Sequence, residues 1–268
     1  ALGLILGTYL NWLFVAKPLR KCSIAFGDSI TIPEFLSNRF KDKTHLLSIV
    51  SVIFIVLFFT IYTASGFVAC AKLFNSVFGL NYHAGLAIGL VVILCYTITG
   101  GYTAVCTTDF IQGSLIFVAF VISTIIVIFS IGSGNTPVSV SDVFNNFQTL
   151  AGTELQSFNG MGIVSALAWG LGYFGMPHII VRFMGIRSNS EIGKARRIGI
   201  VWMVISYIGA ILIGTLGTVY LKKYGITLDS VSAETVFSAT MQNMYPAFIA
   251  GIFLCAILAA SMSTADSQ

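Results

Sequence analysis

SALAWGLGYFGMPHIIVRFMG, residues 165–185, is an apolar stretch long enough to cross a bilayer, and it is punctuated against forming a plain helix. Gly170, Gly172 and Gly175 fall within six residues, and Pro177 closes the run. Proline has no amide proton and clashes with the preceding turn, while glycine tolerates an opened turn, so the spacing predicts a break here. Trp169 and Tyr173, four residues apart, are expected on one face beside it. Inside a membrane, irregular backbone persists only where protein or a wet cavity satisfies its polar groups. A broken span lined by aromatic rings is therefore a place for a small-molecule or ion site. A proline kink between packed helices is the structural alternative.

The rest of the chain belongs to the same solvent. Of 268 residues, 56% are hydrophobic and 9% charged, against about 25% charged in soluble domains. The apolar residues come in long blocks, such as 46–62 and 117–131. The fold class expected is an all-α polytopic membrane protein embedded in a lipid bilayer. The net charge of +4 gathers in loops and leaves no basic face for nucleic acid. Five cysteines without metal-ligand spacing read as small apolar residues rather than disulfides or a zinc site. Ala1 opens inside an apolar run with no initiator methionine, so the stretch is expected to be an internal piece of a longer protein; no signal peptide is visible.

Seven apolar segments are expected, at about 1–17, 46–74, 83–100, 109–132, 161–184, 198–220 and 246–265. Ser29 to Leu36, with Pro33 near its first turn, suggests a short interfacial helix, 141–147 suggests the start of a short amphipathic helix on the surface, and 231–241 is amphipathic. Thr99 to Tyr102 reads as a glycine-marked turn, with Thr107, Thr108 or Asp109 placed to cap the following helix. Alternating the loops puts eleven of the 14 basic residues on one side: Lys17, Arg20, Lys21, Arg39, Lys41, Lys43, Arg182, Arg187, Lys194, Arg196 and Arg197. Lys72, Lys222 and Lys223 fall on the other. The positive-inside rule makes the loops near 18–45, 101–108 and 185–197 cytoplasmic.

Within the spans a few polar residues invite a role. Ser263 and Thr264 lie in a run of small residues ending at Gln268; hydroxyls are neutral oxygen donors for a hard cation, and equally a close-packing seam. Asp109 suits either a helix cap or a cation path, and Asp266 could draw cations near the cytoplasmic mouth or simply face water. Tyr62 offers a hydroxyl to a cavity or reaches the interface, and His178 is a polar residue within a span. There is no nucleophile–base set, carboxylate pair or phosphate-binding glycine loop, so an enzyme is not expected.

Taken together, Asn11-Trp12 with Lys17 to Arg20, Thr31 to Phe35, Phe58 to Gly66, Gly100 to Val105 with Thr108, Asp109 and Gln112, Trp169 to His178, and Ala260 to Thr264 resemble the sodium:solute symporter family over essentially the whole chain. The resemblance implies a fragment of a ten-helix core built from two inverted five-helix repeats. The first repeat would occupy 1–132 without its first helix, and the second 161–268 without its last two, with the discontinuous helix near 165–185. It implies sodium as coupling ion, no other cofactor, and a small amino acid, L-proline, as solute, moved by alternating access. It places Ser263 and Thr264 among sodium ligands, Tyr62, Trp169, Tyr173 and Pro177 around the solute, and Asp109 on the ion path or its gate. Another small solute on the same scaffold, a transporter-like sensor module or a structural membrane subunit are the competing expectations. No obligate protein partner is evident, and this stretch alone is not expected to transport.

Overall fold

A computed structural model describes residues 1–132, 160–226 and 235–268. Among them every regular element is helical: α1 Leu2–Phe14, α2 Ala16–Ala25, α3 Ile32–Phe40, α4 Leu46–Phe78, α5 Tyr82–Gly132, α6 Gly160–Ala168, a 3-10 turn Trp169–Phe174, α7 Pro177–Met184, α8 Ile192–Lys223, α9 Val236–Met244 and α10 Ala247–Ser267. The stretch 141–147 and the start of 231–241 lie outside the described residues.

Local chemistry accounts for the boundaries. Thr31 caps α3, its hydroxyl accepting from the Glu34 amide at 3.4 Å, and Pro33 occupies the first turn, where no amide donor is needed. Before α4, the Asp42 carboxylate accepts from the Thr44 hydroxyl at 2.6 Å and the Leu47 amide at 2.8 Å. These bonds, the Thr44 one foremost, hold its carboxyl below the usual carboxylate range. The first apolar segment does not stop at 17: its helix bends by 41° at Val15 and continues as α2. Pro18 fits there because it lies in the first turn of the new helix.

Among the described residues four helices are long and apolar enough to cross a membrane, up to six if each bent pair counts as one span. The longest, α5, has 51 residues, or ~75 Å at ~1.5 Å each, far beyond a ~30 Å hydrocarbon core. It is interrupted at Gly101, whose φ of 56° and ψ of −157° suit a residue without a Cβ. The arm before that glycine matches the segment expected at 83–100. The arm after it corrects the expectation of 109–132 with a loop at 101–108, because the single glycine completes the turn and helix resumes directly after it.

The chain forms two compact units. The first comprises 1–63 and 158–204 with Gln268; the second comprises 64–157 and 205–267. In the first, Ala16, Phe183 and Ile192 are buried against Trp12, Leu19 and Ile179. The buried Arg20 guanidinium reaches Asp28 at 2.6 Å, tying down the α2–α3 elbow. In the second, Val127 and Ile131 of α5 pack with Ile213, Tyr220 and Leu221 of α8, Met241 of α9 and Phe253 of α10.

Candidate functional site

In the first unit, the local structure at 165–185 follows from Pro177. A helix would bond the amide of residue 177 to the carbonyl of Tyr173, and proline has no such amide. The chain tightens into the 3-10 turn Trp169–Phe174, passes through an extended Met176 (φ −75°, ψ 113°), and restarts as α7 with Pro177 in its first turn. The two halves are bent by 44°. The discontinuous helix expected near 165–185 is present.

One expectation is corrected there. Trp169 and Tyr173 do not share a face, because a 3-10 turn has about three residues per turn and sets positions four apart roughly a third of a turn away from each other. Trp169 is 74% exposed, while Tyr173 is half-buried. Tyr62 on α4 stands edge-to-face with Phe59 at 6.1 Å, and Phe59 in turn meets the His178 ring at 5.6 Å. This aromatic row leads from Tyr62 to the first turn of α7, beside Pro177. Tyr62 and Pro177 are thus brought to one neighbourhood; among the described residues Trp169 stacks on no other ring. Phe59 was not singled out in the sequence, and only its spacing of three from Tyr62 hinted at it.

In the second unit, the last turn of α10 lies against both arms of α5. Ser263 donates to the Asp109 carboxylate, and the Ser267 hydroxyl is 3.0 Å from its other oxygen. Tyr96, from the arm before Gly101, donates to Asp266 at 2.7 Å, and Thr108, from the arm after it, reaches the same oxygen at 3.4 Å. Asp266 is buried, so it does not simply face water. Asp109 does not cap its helix either: that arm begins after Gly101, two turns earlier. Its carboxylate is free to point at α10 instead. Thr264 differs from Ser263, since its exposed hydroxyl bonds back to the Ala260 carbonyl of its own helix at 2.9 Å.

Carboxylate and hydroxyl oxygens are the hard donors a sodium ion accepts. Ser267 and Tyr96 were missed in the sequence; for Ser267 the signal was its place four residues after Ser263 on the same helix face. A separate cavity of about 380 Å³ in this unit, lined by Leu73, Gln242, Leu254 and Cys255, is apolar and includes none of these residues.

The chain is thus a multi-pass helical membrane protein with broken helices, one break beside aromatic rings and another beside a carboxylate–hydroxyl cluster. It belongs to the sodium:solute symporter family, whose model matches residues 1–268. It is similar to the sodium/proline symporters of Staphylococcus aureus and of its strains JH9 and Newman, each 43% identical over 270 residues, covering 100% of this chain and 51% of the relative. The chain thus spans about half the length of the curated relatives it matches.

Proposed function

We propose that the full-length protein carrying this chain couples inward sodium movement to uptake of L-proline. The observation that carries the ion half is the Asp109–Ser263–Ser267 cluster at the broken α5, an oxygen donor set suited to an alkali cation. The solute assignment rests on the similarity to sodium/proline symporters. In this reading Ser263 and Thr264 ligate sodium and Asp109 lines its path. Tyr62, Trp169, Tyr173 and Pro177 surround the solute at the break between α6 and α7, where the helix termini can meet a zwitterion. The stretches 1–132 and 161–268 belong to two inverted repeats that rock against each other.

Sodium binding favours the conformation that holds solute, and release follows when the opposite side opens; no covalent chemistry is involved. One sodium entering across 100 mV releases ~2.3 kcal/mol, enough for a roughly fifty-fold solute gradient. The stretches near 18–45, 101–108 and 185–197 face the cytoplasm, as the distribution of basic residues supports.

The test is radiolabelled L-proline uptake by the full-length protein in proteoliposomes, with and without an inward sodium gradient. Accumulation that collapses with the gradient is expected. No proline uptake but sodium-driven uptake of another small solute would overturn the substrate, and indifference to sodium with every solute would overturn the symport reading.

A further inference from the structure

The stripe Gly3, Gly7 and Asn11 is the buried face of α1, with the three residues spaced four apart. A Cβ on Gly3 would lie 2.8 Å from the Leu167 Cα at the end of α6, and one on Gly7 would collide with the Gly170 backbone in the 3-10 turn. Close backbone approach therefore requires glycine at both positions. One turn further, the Asn11 amide donates to the Tyr173 carbonyl at 2.7 Å. The neighbouring Trp12 ring meets Phe183 of α7 edge-on at 4.6 Å. A single short helix thus touches the segment before the break, the break itself and the segment after it.

The carbonyl that Asn11 serves is the one that Pro177 strips of its helical partner. We propose that α1 is a splint for the discontinuous helix and that Asn11 is its positioning residue, its side-chain amide standing in for the backbone N–H that proline lacks. This deepens the transport reading above and rests on it for its functional consequence. The chemistry selects asparagine. The acceptor is a carbonyl, so the side chain must turn its NH2 toward Tyr173 and its oxygen away. That oxygen, on a side chain only 1% exposed, has no hydrogen-bond partner among the described residues. A buried acceptor left unmatched is costly, and an apolar side chain of similar size would avoid the cost if packing were the only requirement. Asn11 keeps the break at a fixed geometry, and with it the Tyr173 and Pro177 positions.

A double-mutant cycle on the full-length protein tests this. Asn11→Leu removes the donor, and Pro177→Ala restores a backbone N–H able to reach the Tyr173 carbonyl. Thermal melting of the purified protein is read for the two single variants, the double variant and the unaltered chain. Asn11→Leu is expected to lower the melting temperature clearly when Pro177 is present and by much less when Ala replaces it. In proteoliposomes, Asn11→Leu should cut sodium-driven proline uptake about ten-fold or more at limiting solute, and Asn11→Gln, which keeps the donor, should recover most of it. Should Asn11→Leu fail to insert, Asn11→Ala, which also lacks a donor, takes its place in the same cycle. Equal melting losses in both backgrounds would overturn the splint and reduce Asn11 to packing. Melting coupling without any transport by the unaltered protein would instead refute the transport reading and leave the splint standing.

Discussion

Replacing Gly7 by alanine puts the α1 splint under the sharpest geometric strain. The new Cβ would sit 2.5 Å from the Gly170 Cα, where carbon atoms in contact prefer about 3.5–4.0 Å. Because the obstacle is backbone, no side chain can swing aside; α1 has to retreat by roughly 1 Å. The same retreat stretches the 2.7 Å bond from Asn11 to the Tyr173 carbonyl beyond hydrogen-bonding range. Overpacking costs about 1–3 kcal/mol, and the buried Asn11 amide that loses this acceptor a similar amount. Alanine returns about 1 kcal/mol through its better helix propensity. The net expectation is a loss of about 3 kcal/mol, a fall in melting temperature on the order of 5 °C. Gly214→Ala is the control, because no atom lies within 4 Å of where its Cβ would point; it should leave stability equal or slightly raised. Melting curves of the detergent-purified full-length protein, with uptake assays alongside, read both. A Gly7→Ala variant that melts within a degree of the unaltered protein would refute the close approach of α1 to the 3-10 turn.

The other outcomes concern the ion cluster, the α4 cap and sidedness. Asp109→Asn removes the charge that Ser263 and Ser267 address, and a charged hydrogen bond contributes about 1.5–3 kcal/mol, so half-saturation by sodium in uptake assays should rise roughly ten- to hundred-fold; an unchanged sodium curve would remove Asp109 from the ion path. The Asp42 carboxyl has a lowered pKa in the folded chain, so its contribution to stability is complete above the unfolded-state value and is lost as pH falls through the folded one. Asp42→Asn should therefore flatten the acid limb of the pH–stability profile, and an identical limb in both proteins would exclude that cap. A single cysteine at 189 of the full-length protein, in a background with the native cysteines replaced, the five of this chain included, should resist an impermeant thiol reagent in intact cells and react after permeabilisation. Ready labelling from outside would invert the orientation.

Much of the architecture was legible residue by residue because its causes are local. Long apolar blocks specify spans whatever they pack against. Pro177 lacks an amide and Gly101 lacks a Cβ, and each marks a break before any neighbour is known. Thr31 and Pro33 announce the start of α3 in the same way. The partners of those breaks were not legible. Asn11 meets the Tyr173 carbonyl across 162 positions, Ser263 meets Asp109 across 154, and Tyr96 meets Asp266 across 170. Water normally writes such pairings into a sequence by making the outward face of a helix polar. Lipid tails and packed side chains are alike apolar, so the inward face of a membrane helix carries no such contrast, and small residues at close approaches are its main trace. Gly3, Gly7 and Asn11 at four-residue intervals were that trace in α1. The composition of this chain determined that it would cross a membrane in broken helices; only the tertiary structure decided that Asn11 would complete one break and that Asp109 would turn from its own helix toward α10.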